Sequence, residues 1–78
     1  MNNKISNIPD NPLEWVLAEL KYKPMYFDIV KMGHYVVCAV SGKRIIIDNL
    51  LYWNVELQEA YFGPKEAHER YEELMNKS

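Results

Sequence analysis

Residues 33–61 read G-H-Y-V-V-C-A-V-S-G-K-R-I-I-I-D-N-L-L-Y-W-N-V-E-L-Q-E-A-Y, and this stretch decides the fold. It contains the strongest β-forming runs, the single cysteine and a tight turn at Ser41-Gly42. Tyr35 to Val40 alternates Val36, Cys38 and Val40 on one face with Tyr35, Val37 and Ala39 on the other. Both faces are apolar, which predicts a central strand covered on two sides. Ser41-Gly42 reverses the chain, Lys43-Arg44 marks a solvated tip, and Arg44 to Asp48 returns as a strand burying Ile45 and Ile47.

Working outward, Tyr26 to Met32 reads as a preceding strand, with Gly33-His34 as the turn into Tyr35. These three strands form an antiparallel β-meander. Asp48-Asn49-Leu50-Leu51 reads as a capped turn. Tyr52 to Phe62 fits either a strand, with Trp53, Val55 and Leu57 alternating, or a helix with Trp53, Leu57, Ala60 and Tyr61 as its stripe. Its aromatic and β-branched start favours a fourth strand. Gly63-Pro64-Lys65-Glu66 is a helix start, with proline at the first helical position and glutamate at the third. Phe62 can staple onto Ala67, and Ala67, Tyr71, Leu74 and Met75 make the apolar stripe. Glu66–Arg70 and Glu73–Lys77 are four apart in the favourable order.

Towards the N-terminus, Asn11-Pro12-Leu13-Glu14 is a second helix-start signal. Leu13, Val16, Leu17 and Leu20 follow it at helical spacing, but Val16, Ala18, Leu20 and Tyr22 also alternate as a strand would. The expectation is a short helix from Pro12 that gives way to extended chain before Pro24. Residues 1–11 are expected to be a flexible arm and residues 12–78 one small α+β domain: a three- to four-stranded antiparallel meander, a C-terminal amphipathic helix packed on one face, and a short N-terminal helical segment.

Composition narrows the function. A chain of 78 residues has a small core and a narrow margin of stability. One cysteine forms no internal disulfide, which suits a reducing cytoplasm. The N-terminal residues lack the apolar run of a signal peptide, and no apolar run approaches the ~18 residues of a membrane span. The expected location is cytoplasmic, with no membrane partner. Net charge is −2, with six basic and five acidic residues in 1–50 against three and six in 51–78. Without a basic face to neutralise phosphates, nucleic acid starts as a disfavoured partner.

The run C-A-V-S-G-K-R-I, followed by L-L-Y-W-N-V-E-L-Q-E-A-Y, resembles a family of short bacterial proteins classed as a domain of unknown function, DUF2093. Its typical pattern carries threonine at Ser41 and serine at Asn54. Ala18, Leu20, Tyr22, Phe27, Gly33 and Tyr35 fall in a comparable order, so the resemblance runs from Ala18 to Tyr61. It implies extended chain over Ala18–Tyr22, and no activity.

Three chemistries can be weighed. Cys38 to Lys43 has the outline of a zinc knuckle, C-x-x-C-G-K, with serine in place of the second cysteine. It reads as a degenerate knuckle in which packing replaces the metal, because only His34, His68 and a carboxylate such as Glu59 or Glu72 could complete a site. No cofactor is implied. For nucleophilic catalysis Cys38 and His34 are the only candidate pair, and they stand well apart along one strand. The expected protein is therefore not an enzyme. Aromatic residues at Tyr35, Tyr52, Trp53, Tyr61 and Phe62 are mostly core, and any exposed ones fit a protein interface.

The sequence thus points to a small non-enzymatic binding or regulatory module acting on another protein or on itself as a homo-oligomer. Small phage or mobile-element inhibitors of host proteins share this profile. The alternative is a single-stranded nucleic-acid binder using exposed aromatics of the sheet. Candidate binding residues are Lys43, Arg44, Tyr52, Trp53 and Tyr61.

Overall fold

A computed structural model describes residues 8–76. The fold is α+β, with three successive antiparallel hairpins followed by one helix. β1 (Glu19–Tyr22) pairs with β2 (Phe27–Lys31), β3 (Tyr35–Val37) with β4 (Arg44–Ile46), and β5 (Tyr52–Asn54) with β6 (Glu59–Tyr61). The helix α1 spans Pro64–Met75. A 3-10 turn at Pro12–Glu14 is the N-terminal helical segment, with the Asn11 side chain accepting the Leu13 N–H at 3.0 Å. Most of the expected flexible arm, residues 1–7, lies outside the described residues, as does the Lys77 end of the expected Glu73–Lys77 pair.

The meander departs from expectation at Gly33-His34. This pair does not fold β2 back onto β3, because β2 has taken β1 as its partner across the Pro24-Met25 turn. Instead, the chain at Val16–Ala18 docks along β3. Ala18 N–H donates to Tyr35 O at 2.8 Å, His34 N–H donates to Val16 O at 2.6 Å, and Leu17 bridges Tyr35 in parallel. Further along, Ala39 N–H donates to Ala60 O at 2.9 Å, and Cys38 bridges Ala60, also in parallel. The segment from Tyr35 to Ala39 therefore has β4 on one edge and two short parallel contacts on the other. It is central within the sheet plane, but only one of its faces is well covered: Val36 and Cys38 are buried, while Val37 and Ala39 on the other face are exposed.

Ile45, Leu50, Ala60, Ala18 and Tyr22 close the core around Val36 and Cys38. The β4 strand ends at Ile46, and Ile47–Asn49 forms a 3-10 turn that leaves Ile46 and Ile47 half-buried. Tyr52–Phe62 is neither the helix nor the single strand its spacing offered: it folds as the β5–β6 hairpin, with Val55 and Leu57 in a turn whose backbone groups are satisfied by side chains. Asn54 Oδ1 accepts Leu57 N–H at 2.8 Å. Gln58, with φ of 54°, donates from Nε2 to Val55 O and Tyr22 O and accepts Tyr22 N–H at Oε1. One amide thus stabilises a left-handed turn residue and ties the turn to β1.

Helix α1 packs against β5 and β6 with Ala67, Arg70 and Leu74 half-buried, and only part of its apolar stripe is covered. Tyr71 and Met75 are 60% and 59% exposed. Glu66, expected to pair with Arg70, is buried, and Arg70 turns to Glu59 of β6 instead.

Candidate functional site

The turn at Cys38–Lys43 explains the apparent knuckle without a metal. Cys38 N–H donates to Lys43 O at 2.9 Å and Gly42 N–H donates to Cys38 O at 3.0 Å, with Gly42 at the positive φ of 77° the reversal requires. The Cys38 sulfur accepts the N–H groups of Val40 and Ser41, each at 3.4 Å. Cys38–Lys43 is not a degenerate zinc knuckle. Among the described residues no group of three His, Cys, Asp or Glu could hold a metal ion. Ser41 Oγ accepts Lys43 N–H, Glu59 holds Arg70, and His68 pairs with Glu72 on α1. Burial pushes the Cys38 thiol up, but hydrogen bonds from Ser41, Phe62 and Val40 together outweigh it and leave the group below its ordinary range. His34 is not its base: Nδ1 accepts Val16 N–H at 2.8 Å, and no hydrogen bond joins the two side chains.

Two of the five candidate binding residues, Lys43 and Arg44, sit at the β3–β4 tip, each against an aromatic ring. Lys43 Nζ lies 4.8 Å from the Phe62 centroid. The Arg44 guanidinium lies 4.6 Å from the Tyr35 ring and 5.6 Å from the Trp15 ring, and its Nη1 donates to Pro12 O at 2.7 Å. Neither cation forms an ion pair with a described carboxylate. Beside them, Trp15, Arg44, Ile45, Ile46, Asn49 and Phe62 line a cleft of about 200 Å3.

The other three candidates, Tyr52, Trp53 and Tyr61, line a separate groove of about 470 Å3 between β5 and α1, with Met25, Tyr71 and Leu74. Of these three candidates only Tyr52 is exposed. Trp53 stacks on Tyr22 and meets Phe27 edge-on, and Tyr61 is 4% exposed, so its ring cannot stack on a ligand. The Tyr61 hydroxyl donates to Glu59 Oε1 at 2.9 Å, and Glu59 accepts two bonds from Arg70 at 3.0 and 3.1 Å. That bidentate pair and Glu73 hold Arg70 firmly protonated, so the one cation in the groove is already neutralised.

The family model for uncharacterised proteins conserved in bacteria, DUF2093, matches residues 29–70. The chain belongs to the DUF2093 family. No curated protein and no solved structure matches it. The DUF2093 match starts within β2 and ends in α1, so it enters the helix, which the resemblance in the sequence stopped short of at Tyr61, and it leaves out β1. It contains Tyr35, Lys43, Arg44, Asn49 and Phe62, whereas Trp15 lies outside the DUF2093 segment. Trp15 and Asn49 were not singled out from sequence, because neither belongs to a periodic pattern. The one signal was the amphipathic character of a tryptophan next to an exposed polar turn.

Tyr61 offers a direct check of the buried network. Burial and the hydrogen bond to the Glu59 carboxylate push its pKa up to about 12. An unfolded tyrosine ionises near 10, so the unfolded chain sheds this proton first and stability falls as pH rises between about 10 and 12. Near-ultraviolet absorbance should show one tyrosinate appearing last, absent in Tyr61→Phe and shifted downward in Glu59→Gln.

Proposed function

We propose that this protein is a non-enzymatic binder of single-stranded nucleic acid, acting through the β3–β4 tip. The observation that carries this reading is the pairing of two cations with no carboxylate partner, Lys43 and Arg44, with the rings of Phe62, Tyr35 and Trp15. Net charge argued against nucleic acid, but it averages over the whole chain, and four of the eleven carboxylates lie on α1, three of them paired there with Lys65, His68 and Arg70. Locally, the tip offers what strand binding requires: positive charge for phosphates and apolar ring faces for bases. Each stacked base contributes about 1–3 kcal/mol, so a few contacts give weak to moderate affinity.

Fluorescence of Trp15 and anisotropy of a labelled (dT)10 strand test this. Binding should weaken with salt along a logarithmic slope of about −1.4 for two phosphate contacts. A Lys43→Ala/Arg44→Ala variant should bind at least tenfold more weakly. No change in either signal at low salt would overturn the proposal.

A second reading, contact with another protein or a second copy, draws support from the β5–α1 groove and from exposed apolar side chains such as Met25 and Tyr71. Sedimentation across concentration distinguishes the readings, since self-association proceeds without nucleic acid. Among the described residues no helix is long and apolar enough to cross a membrane.

A further inference from the structure

We infer that the cleft lined by Trp15, Phe62, Arg44 and Asn49 is a subsite for one nucleobase, and that Asn49 makes it prefer adenine. This rests on the proposed strand-binding function and adds to it the identity of the favoured base.

Size is the first argument. At about 200 Å3 the cleft is smaller than the roughly 300–1,000 Å3 of sites that take drug-sized ligands, and it suits one planar ring system. Its lining includes the aromatic residues Trp15 and Phe62 and the half-buried Ile46, so the apolar faces of a base find apolar partners. No carboxylate lines it; the neighbouring Asp48 faces a different groove, with His34 and Met32.

Asn49 provides the polar edge. It ends the Ile47–Asn49 turn, which is held by the Leu50 N–H to Ile47 O bond at 3.1 Å and by the burial of Leu50. Its side-chain amide has no hydrogen-bond partner among the described residues, so one acceptor and two donors remain for a ligand. An asparagine amide pairs with the adjacent N6–H donor and N7 acceptor of adenine. On that edge guanine offers two acceptors, which the amide cannot match. Arginine would favour guanine, but Arg44 Nη1 is held by Pro12 O and its guanidinium carbon sits 4.6 Å from the Tyr35 centroid and 5.6 Å from that of Trp15. Its charge remains available to the phosphate. Purines also stack more ring area than pyrimidines.

The test uses the whole chain and a (dT)10 host strand in which one central base is A, G, C or T, with adenosine monophosphate as a separate arm. The adenine strand should bind about fivefold more tightly than the all-thymine host or the guanine strand. Asn49→Ala should abolish that preference while leaving host affinity within about twofold. Asn49→Asp, which keeps the shape but loses the donors, should abolish it too. Asn49 is exposed, and circular dichroism of both variants confirms the fold. If the host binds with no base preference, with a preference for guanine, or with an adenine preference that survives Asn49→Ala, the adenine subsite is refuted while strand binding stands. If adenosine monophosphate binds in an Asn49-dependent manner and no strand does, the subsite stands and the strand reading falls. If neither binds, both fall.

Discussion

Trp53→Ala should destabilise the protein by about 3 kcal/mol, the lower end of the range for losing a large aromatic from a core. The indole stacks on Tyr22 with centroids 6.0 Å apart and meets Phe27 edge-on at 5.5 Å. Its Nε1–H donates to Lys23 O at 2.7 Å. Tyr22, Lys23 and Phe27 belong to β1, its turn and β2, so this side chain from β5 ties the first hairpin to the rest of the molecule. Gln58 makes the other tie, through the Tyr22 backbone. A two-stranded hairpin has little stability alone, so it should fray first when the indole is removed. Trp53→Phe keeps a ring and drops the hydrogen bond, for a loss of about 1 kcal/mol or more. Urea unfolding followed by circular dichroism measures both. Equal midpoints for Trp53→Ala and the parent would refute this account of the first hairpin.

Gly33→Ala is the second large effect. A Cβ at Gly33 would lie 2.5 Å from Ala18 N, and 2.7 Å from both Ala18 Cα and Leu17 C. All three are backbone atoms, so no side chain can swing aside. The docked segment at Val16–Ala18 must lift from β3, losing its hydrogen bonds to His34 and Tyr35. The cost should reach about 3 kcal/mol, the upper part of the range for overpacking. For a domain of this size that is a fall of roughly 12 °C or more in Tm. Gly42→Ala is the control. Gly42 needs its positive φ, but nothing lies within 4 Å of the added carbon, so only backbone strain of about 1–2 kcal/mol applies. A Gly33→Ala variant melting above Gly42→Ala would show that the close approach does not exist in solution.

The two substitutions also separate local from non-local information. Gly42 was legible: a Ser-Gly pair between two β-branched runs is a turn whatever surrounds it. Gly33 resembled another such turn, and nothing within a few residues reveals that Val16–Ala18, more than a dozen positions away, fills the space its missing side chain leaves. The same limit applies to the rings. Sequence placed Tyr52, Trp53 and Tyr61 together with Lys43 and Arg44 as one binding set. In the fold Trp53 and Tyr61 turn inward, and the tip cations rest instead on Trp15, Tyr35 and Phe62.

By itself, the order of residues determined the β3–β4 hairpin, the start of α1, the extended run at Ala18–Tyr22 that the family resemblance implied, and membership of DUF2093. Each depends on side-chain alternation, turn chemistry, capping or a motif read over a few neighbouring positions. Tertiary structure alone decided which strand β2 pairs with, the parallel docking of Leu17 and Ala60 beside the central strand, and the meeting of Trp15, Arg44, Asn49 and Phe62 around one cleft. Those contacts join segments far apart in the chain, and their energy comes from burying shared surface and pairing backbone groups, which leaves no periodic trace in either partner's sequence.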